Sequence, residues 1–317
     1  MAEINKKGFR KYLWIFLIFF ITLTLGVIFY IAEHAVIATE EAAVMSMKPV
    51  KPEVPKERVF KDVAWQGKVH SGTYDLYLAE KPDSDLLVFF PGGYWQQHNK
   101  RHFAHIGGLA VKNGLSAVII QMPVFPGLVS RMFYSKDELR KIGFRYSQQF
   151  LEEFFRALLN QLIEKEINIT RLHLMGYDSG GFYAFMTAFN ESTLGVIKKR
   201  IKSVITLSAI LDLENTEPDF NNRYIEPFFG SSQTVLQTES PVNFTIKRKI
   251  PVLQMTAQFD MPMVTSASQK MHQKLLAAGI QAKLEVIPQS SHQSIVFKLG
   301  RKSHPATALI EDWLKNI

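Results

Sequence analysis

Apolar and polar positions follow one another along this chain in three distinct ways. From Tyr12 to Ala32 the run YLWIFLIFFITLTLGVIFYIA carries no charge and presents no polar face. Its length is what a helix needs to cross about 30 Å of hydrocarbon at 1.5 Å per residue, and it predicts one membrane-spanning helix. Further on, short and nearly continuous apolar runs (TYDLYLA, DLLVFF, LSAVIIQ, RLHLMG, KSVITLS, PVLQMT and KLEVIP) read as strands. Between them apolar residues recur at helical spacing, most clearly over Phe144 to Lys165, where Phe150, Leu151, Phe154, Phe155, Leu158, Leu159 and Leu162 share one face. Further helices are expected over Arg101–Lys112, Phe182–Phe189, Val264–Ala278 and Ala306–Lys315. Strands alternating with helices predict an α/β fold, a mostly parallel sheet flanked by helices, with ligands bound at the carboxyl ends of the strands.

This pattern divides the chain into a basic tail (1–11), a transmembrane anchor (12–32), a linker rich in proline and alternating charge (33–58), and a large domain (59–317) with a lid region at about 211–249. Lys6, Lys7, Arg10 and Lys11 precede the apolar run, whereas Glu33, Glu40 and Glu41 follow it. That asymmetry predicts a cytoplasmic amino terminus and a domain on the exported side, whether periplasmic, extracellular or lumenal. The formal net charge of +8 is spread over small clusters without a nucleic-acid motif, so no nucleic-acid partner is expected. The absence of cysteine excludes disulfides, thiol nucleophiles and thiolate metal sites.

Three segments stand directly after strands and carry candidate chemistry. Gly176-Tyr177-Asp178-Ser179-Gly180 lies between RLHLM and the helical FYAFMTAF. A strand, a G-x-Nu-x-G turn and a helix make a nucleophile elbow, in which Gly176 and Gly180 permit the tight turn and Asp178 takes the central position. Ser179 is the alternative nucleophile, in a register that puts the bulky Tyr177 where the turn needs a very small residue. Asp260 follows PVLQMTAQF and His292 follows KLEVIPQSS. The order nucleophile, acid, histidine predicts a triad in which Asp260 orients His292 and His292 acts as base. A fourth segment, Pro91-Gly92-Gly93-Tyr94-Trp95 after DLLVFF, offers an oxyanion hole from the backbone N–H groups of Gly93 or Tyr94 together with that of Ser179.

From about Val59 onward these motifs resemble the α/β-hydrolase superfamily. PGGYWQ looks like the HGGYW segment of kynurenine formamidases and related carboxylesterases, and SAILDL (Ser208–Leu213) with Ser240-Pro241 is similar to the same branch. The resemblance implies a carboxylesterase-like hydrolase with no cofactor and a small-molecule substrate, an ester, an amide, or an epoxide- or halide-type compound; the membrane anchor adds the expectation of a lipid-like one. Two departures accompany it: Pro91 replaces the histidine of that segment, and Asp178 replaces the serine nucleophile. Aspartate nucleophiles are familiar on this fold in epoxide hydrolases and haloalkane dehalogenases, which commonly carry Trp where this chain has Ser179. The two replacements also leave open a catalytically inactive binding or scaffold module. His98, His102 and His105 are near helical spacing but lack a carboxylate partner, and no metal site is expected from them.

Overall fold

The computed structural model describes residues 14–28, 46–81, 83–97, 99–127, 130–190, 195 and 197–317. The chain forms two compact units that divide between Ser46 and Met47. In the smaller, residues 14–28 are helical and their side chains are exposed all round. Thr22 and Thr24 return their hydroxyls to carbonyls one turn back. The rest of the expected span, 12–13 and 29–32, and the basic tail lie outside the described residues. Among the described residues no helix is long and apolar enough to cross a membrane.

The larger unit is built on an eight-stranded sheet. Its strands are β1 (Val59–Gln66), β2 (Ser71–Tyr77), β3 (Ser84–Phe90), β4 (Ser116–Ile120), β5 (Ile169–Tyr177), β6 (Ile201–Leu207), β7 (Val252–Phe259) and β8 (Ala282–Ser291). They lie in the order β1-β2-β4-β3-β5-β6-β7-β8. β1, β2 and β4 pair antiparallel, and every other pairing is parallel. The main helices are α1 (Ala104–Lys112), α2 (Lys136–Ile142), α3 (Phe144–Glu164), α4 (Ser179–Phe189), α5 (Pro262–Ala277) and α6 (Pro305–Asn316). Buried on both faces, β3, β4 and β5 are apolar nearly throughout, as parallel strands under helices must be. The expected α/β-hydrolase fold is thus present.

The structure differs from the sequence expectation in four places, one of them the helix α2, which was not expected. β1 was not expected, because VFKDVAWQ is largely exposed, as an edge strand with Lys61 and Asp62 in it would be. The expected linker is described only over its last residues. There, residues 47–58 belong to the larger unit, where Arg301 donates to the carbonyls of Met47 and Lys48. The expected lid region is a series of short turns: Pro218–Phe220, a π-helical turn Asn221–Ile225, Glu226–Phe229, Gln233–Glu239 and Pro241–Asn243.

At the junction of β5 and α4 the chain passes so close to itself that only glycine fits. A Cβ on Gly180 would lie 1.9 Å from the carbonyl oxygen of Phe90, and one on Gly176 would lie 2.2 Å from the carbonyl oxygen of Gly180. Both obstacles are backbone and cannot rotate away. Gly180→Ala is therefore expected to cost about 3 kcal/mol or more through forced separation of β3 from α4. Urea denaturation of the full chain, compared with wild type, measures it.

Candidate active site

Asp178 caps α4 from a strained backbone conformation, φ 54 and ψ −123. A non-glycine residue holds such a conformation only where its surroundings over-determine it. Here they do: the Asp178 N–H donates to Leu207, and its carbonyl accepts from Gly181 and Ile210. The side chain is consequently aimed at the loop after β3. In that loop Gly93, Tyr94 and Trp95 all have positive φ, 145, 53 and 63. Successive residues of this kind turn consecutive N–H groups toward one concavity.

That concavity is filled. Oδ2 of Asp178 accepts hydrogen bonds from the N–H of Gly93 and the N–H of Tyr94, each 2.7 Å long. Ser179 joins through its hydroxyl, which donates to the same oxygen at 3.3 Å and accepts the Trp95 N–H at 3.2 Å. Its side chain therefore serves the loop. The contact to His292 falls to Asp178 instead: Oδ1 lies 3.5 Å from His292 Nε2 and makes no hydrogen bond.

His292 sits just past β8, and its Nδ1 is 2.7 Å from Oδ1 of Asp260. The Asp260 carboxylate also accepts the N–H groups of Ala257 and Met261, both at 3.0 Å, and the hydroxyl of Ser208 at 2.5 Å. Burial pushes the Asp260 pKa up, but the hydrogen bonds and charge of His292, with Ser208 and Ala257, outweigh it and leave the group below its ordinary value. For His292 burial works against the charged form, yet Asp178 and Asp260 together raise its pKa to about 9. The net effect favours the protonated ring, held between the side chains of Asp178 and Asp260. Ser208, at φ 47 directly after β6, was not among the expected site residues. In the sequence it stands out only as the first residue of the formamidase-like SAILDL.

The lid supplies the roof. Tyr94 stacks on His292 with ring centroids 5.8 Å apart, and Phe220 and Tyr224 pack against Tyr94 at 5.5 and 4.8 Å. Burial raises the pKa of the Tyr94 and Tyr224 phenols, and Asp178 adds to the rise in both. Beneath, Trp95 is wedged among Phe182, Phe228 and Phe229. Asp178 keeps 1% and His292 8% of their surface exposed, so the charged trio faces an aromatic enclosure.

The loop is tied down at its far end as well. Lys100, buried beside β2, places its ammonium 2.5 Å from Asp75, and its N–H donates to the Gln121 side chain at 3.1 Å. Trp95 accepts the Phe125 N–H at 2.9 Å. The remaining sequence candidates do not join the site. His98 lies outside the described residues, and His105 is buried against the carbonyl of Val296, burial lowering its pKa to about 4. Among the described residues no group of three or more metal-ligating side chains occurs.

Comparison with known proteins agrees with this architecture. A family model for the prolyl oligopeptidase family matches residues 133–317, more than half of the chain. Kynurenine formamidase from Danio rerio is 23% identical over 251 residues, covering 77% of this chain and 78% of that protein. The Salmo salar protein of the same name is 21% identical over 244 residues, covering 74% and 76%. Among solved structures, an esterase from Pyrobaculum calidifontis superposes with a TM-score of 0.67 at 15% identity, over 87% of this chain and 89% of that one. Esterase B from Lactobacillus rhamnosis gives 0.66 at 14% identity, over 90% and 91%. The chain belongs to the prolyl oligopeptidase family, among the esterase-like hydrolases of the α/β-hydrolase superfamily.

Proposed function

We propose that this protein hydrolyses an epoxide- or halide-type substrate by covalent catalysis, with Asp178 as nucleophile, His292 as base and Asp260 as its partner. One observation carries the reading: Oδ2 of Asp178 occupies the pair of N–H groups from Gly93 and Tyr94, while Oδ1 stands free of hydrogen bonds beside His292. In acyl-group hydrolysis those N–H groups receive the substrate's carbonyl oxygen. A nucleophile that fills them with its own second oxygen leaves no place for it. The names of the relatives point to acyl chemistry, and the filled hole argues against it here.

On an sp3 carbon the same arrangement works in two steps. Oδ1 attacks the carbon, a C–O bond to Asp178 forms, and the epoxide C–O bond or the carbon–halogen bond breaks. An opened epoxide takes the proton of the His292 imidazolium; a halide leaves as the anion. Alkylation also removes the charge on Asp178, one of the two charges that raise the His292 pKa. In the halide route the imidazolium, with that charge gone, releases its proton to solvent; in either route His292 is then neutral and accepts a proton from water as that water attacks the Asp178 carbonyl carbon. Oδ2 becomes an oxyanion where it already lies, between the N–H groups of Gly93 and Tyr94, and collapse of the intermediate expels the alcohol. The oxyanion hole thus serves the second step.

We place the protein in a membrane through residues 12–32, with the large unit on the exported side. Support comes from the uncharged sequence of that run and from helix 14–28, apolar all round, with its threonine hydroxyls satisfied internally. A second reading, an inactive binding module, is favoured by the enclosure of Asp178, which keeps 1% exposure.

Two measurements test the reading. His292→Gln, which removes the base for the second step, is expected to accumulate Asp178 alkylated by 1-bromohexane, whose displacement needs no proton from His292, visible as a mass increment on the peptide that contains it. Absence of any adduct in both wild type and His292→Gln favours the inactive module. The raised His292 pKa also fixes a stability window. Because the folded value lies above the unfolded one, the stabilisation is fully present below about pH 6.5 and is lost as pH rises through about 9. The difference in unfolding free energy between wild type and His292→Gln, followed from pH 6 to 10, is expected to shrink by a few kcal/mol across that interval.

A further inference from the structure

Exposed apolar side chains on the larger unit are mostly single. One run is different: in the turn Ser130–Phe133 and just beyond it, Met132 is 78%, Phe133 72% and Tyr134 45% exposed. Arg131 immediately precedes them, and its guanidinium donates to the carbonyl of Arg223 at 3.3 Å. The Arg223 guanidinium lies over the Tyr224 ring at 5.3 Å. Two positive charges are thereby gathered on one rim, close enough that Arg223, after burial, depresses the Arg131 pKa. Among the described residues neither pairs with a carboxylate. Gathering like charges without a counterion is unfavourable, and an anion arriving from outside relieves it. Exposed Met132, Phe133, Tyr134 and Arg223, with a half-buried Arg131 beside them, form the composition of an interfacial contact, in which rings and aliphatic stems enter the headgroup layer and guanidinium groups take phosphate oxygens.

We propose that Arg131–Tyr134 and Arg223 form a docking surface for an anionic lipid bilayer. The surface adjoins the roof of the candidate site. The Arg223 carbonyl also accepts the Gln96 side chain at 3.0 Å, from the loop that holds Asp178, and Tyr224 packs on Tyr94. A bilayer bound here faces the turn that covers the carboxylate, so an apolar substrate reaches the site from lipid without crossing water. The assignment concerns the larger unit alone. It stands apart from any reaction at Asp178 and from the 12–32 anchor.

The chain contains no cysteine, so Met132→Cys in the full-length protein carries a single environment-sensitive nitrobenzoxadiazole label. It is read in vesicles of phosphatidylcholine with and without 30% phosphatidylglycerol, reconstituted if the chain inserts and added from outside if it does not. The expected result is a blue-shifted, brighter emission in the anionic vesicles, quenched by headgroup-proximal doxyl lipid. In the Arg131→Gln, Arg223→Gln background the dependence on phosphatidylglycerol should fall away, at roughly fivefold in apparent lipid affinity per arginine for protein added from outside. The proposal is overturned if the label stays in water in both vesicles. It is equally overturned if a label at Val69→Cys, exposed on the β1–β2 turn, responds alike, or if monomeric hexyl phosphate engages the arginines while vesicles do not.

Discussion

Two hydrogen bonds, from the N–H groups of Gly93 and Tyr94 to one oxygen of Asp178, set the terms for everything around them. They are short and charge-assisted, in an enclosure where an unpaired carboxylate oxygen would be costly. They explain why a loop with three consecutive positive φ values persists, and why Asp178 tolerates its own strained backbone. They also make the two carboxylate oxygens different. One is bound and the other is left to His292, which is the division of labour that attack on a saturated carbon followed by hydrolysis of the resulting ester requires.

The second organising element is charge balance. His292 lies between two carboxylates, and the raised pKa expresses the fact that both need its proton. Asp260 has other partners, Ser208 and two backbone N–H groups, and holds its charge securely. Among the described residues no other cation pairs with Asp178. Loss of the Asp178 charge is therefore the event to which the histidine responds most, and the order of proton transfers follows from the arrangement of charges.

Much of this was legible in the residues. Strands buried on both faces announce themselves as apolar runs, and the elbow is written in Gly176 and Gly180, where only glycine fits, with Asp178 between them. Asp260 and His292 could be found because strand ends are where such residues must stand. β1 escaped because an edge strand carries Lys61 and Asp62 on a mostly exposed ribbon. α2 escaped although its signal was present: Ser135 and Glu138 form a capping box. The partners that depend on long-range packing had no local signal. Nothing around Lys100 in sequence indicates that it is buried on Asp75, and nothing in Ser208 alone indicates that it braces Asp260. Which carboxylate oxygen enters the N–H pair is a matter of one side-chain torsion, below the reach of any pattern.

The carbonyl of Arg223, in the π-helical turn of the lid, accepts from both Gln96 and Arg131. Gln96 is three residues past Gly93, to which its own N–H returns at 2.9 Å. Any movement that lifts the turn off Tyr94 has to break these bonds, and so pulls on the loop that grips Asp178. Entry and reactivity are then opposite ends of one equilibrium: the open arrangement admits a molecule but loosens the carboxylate, and the closed one re-forms the grip with the aromatic rings already shut over it.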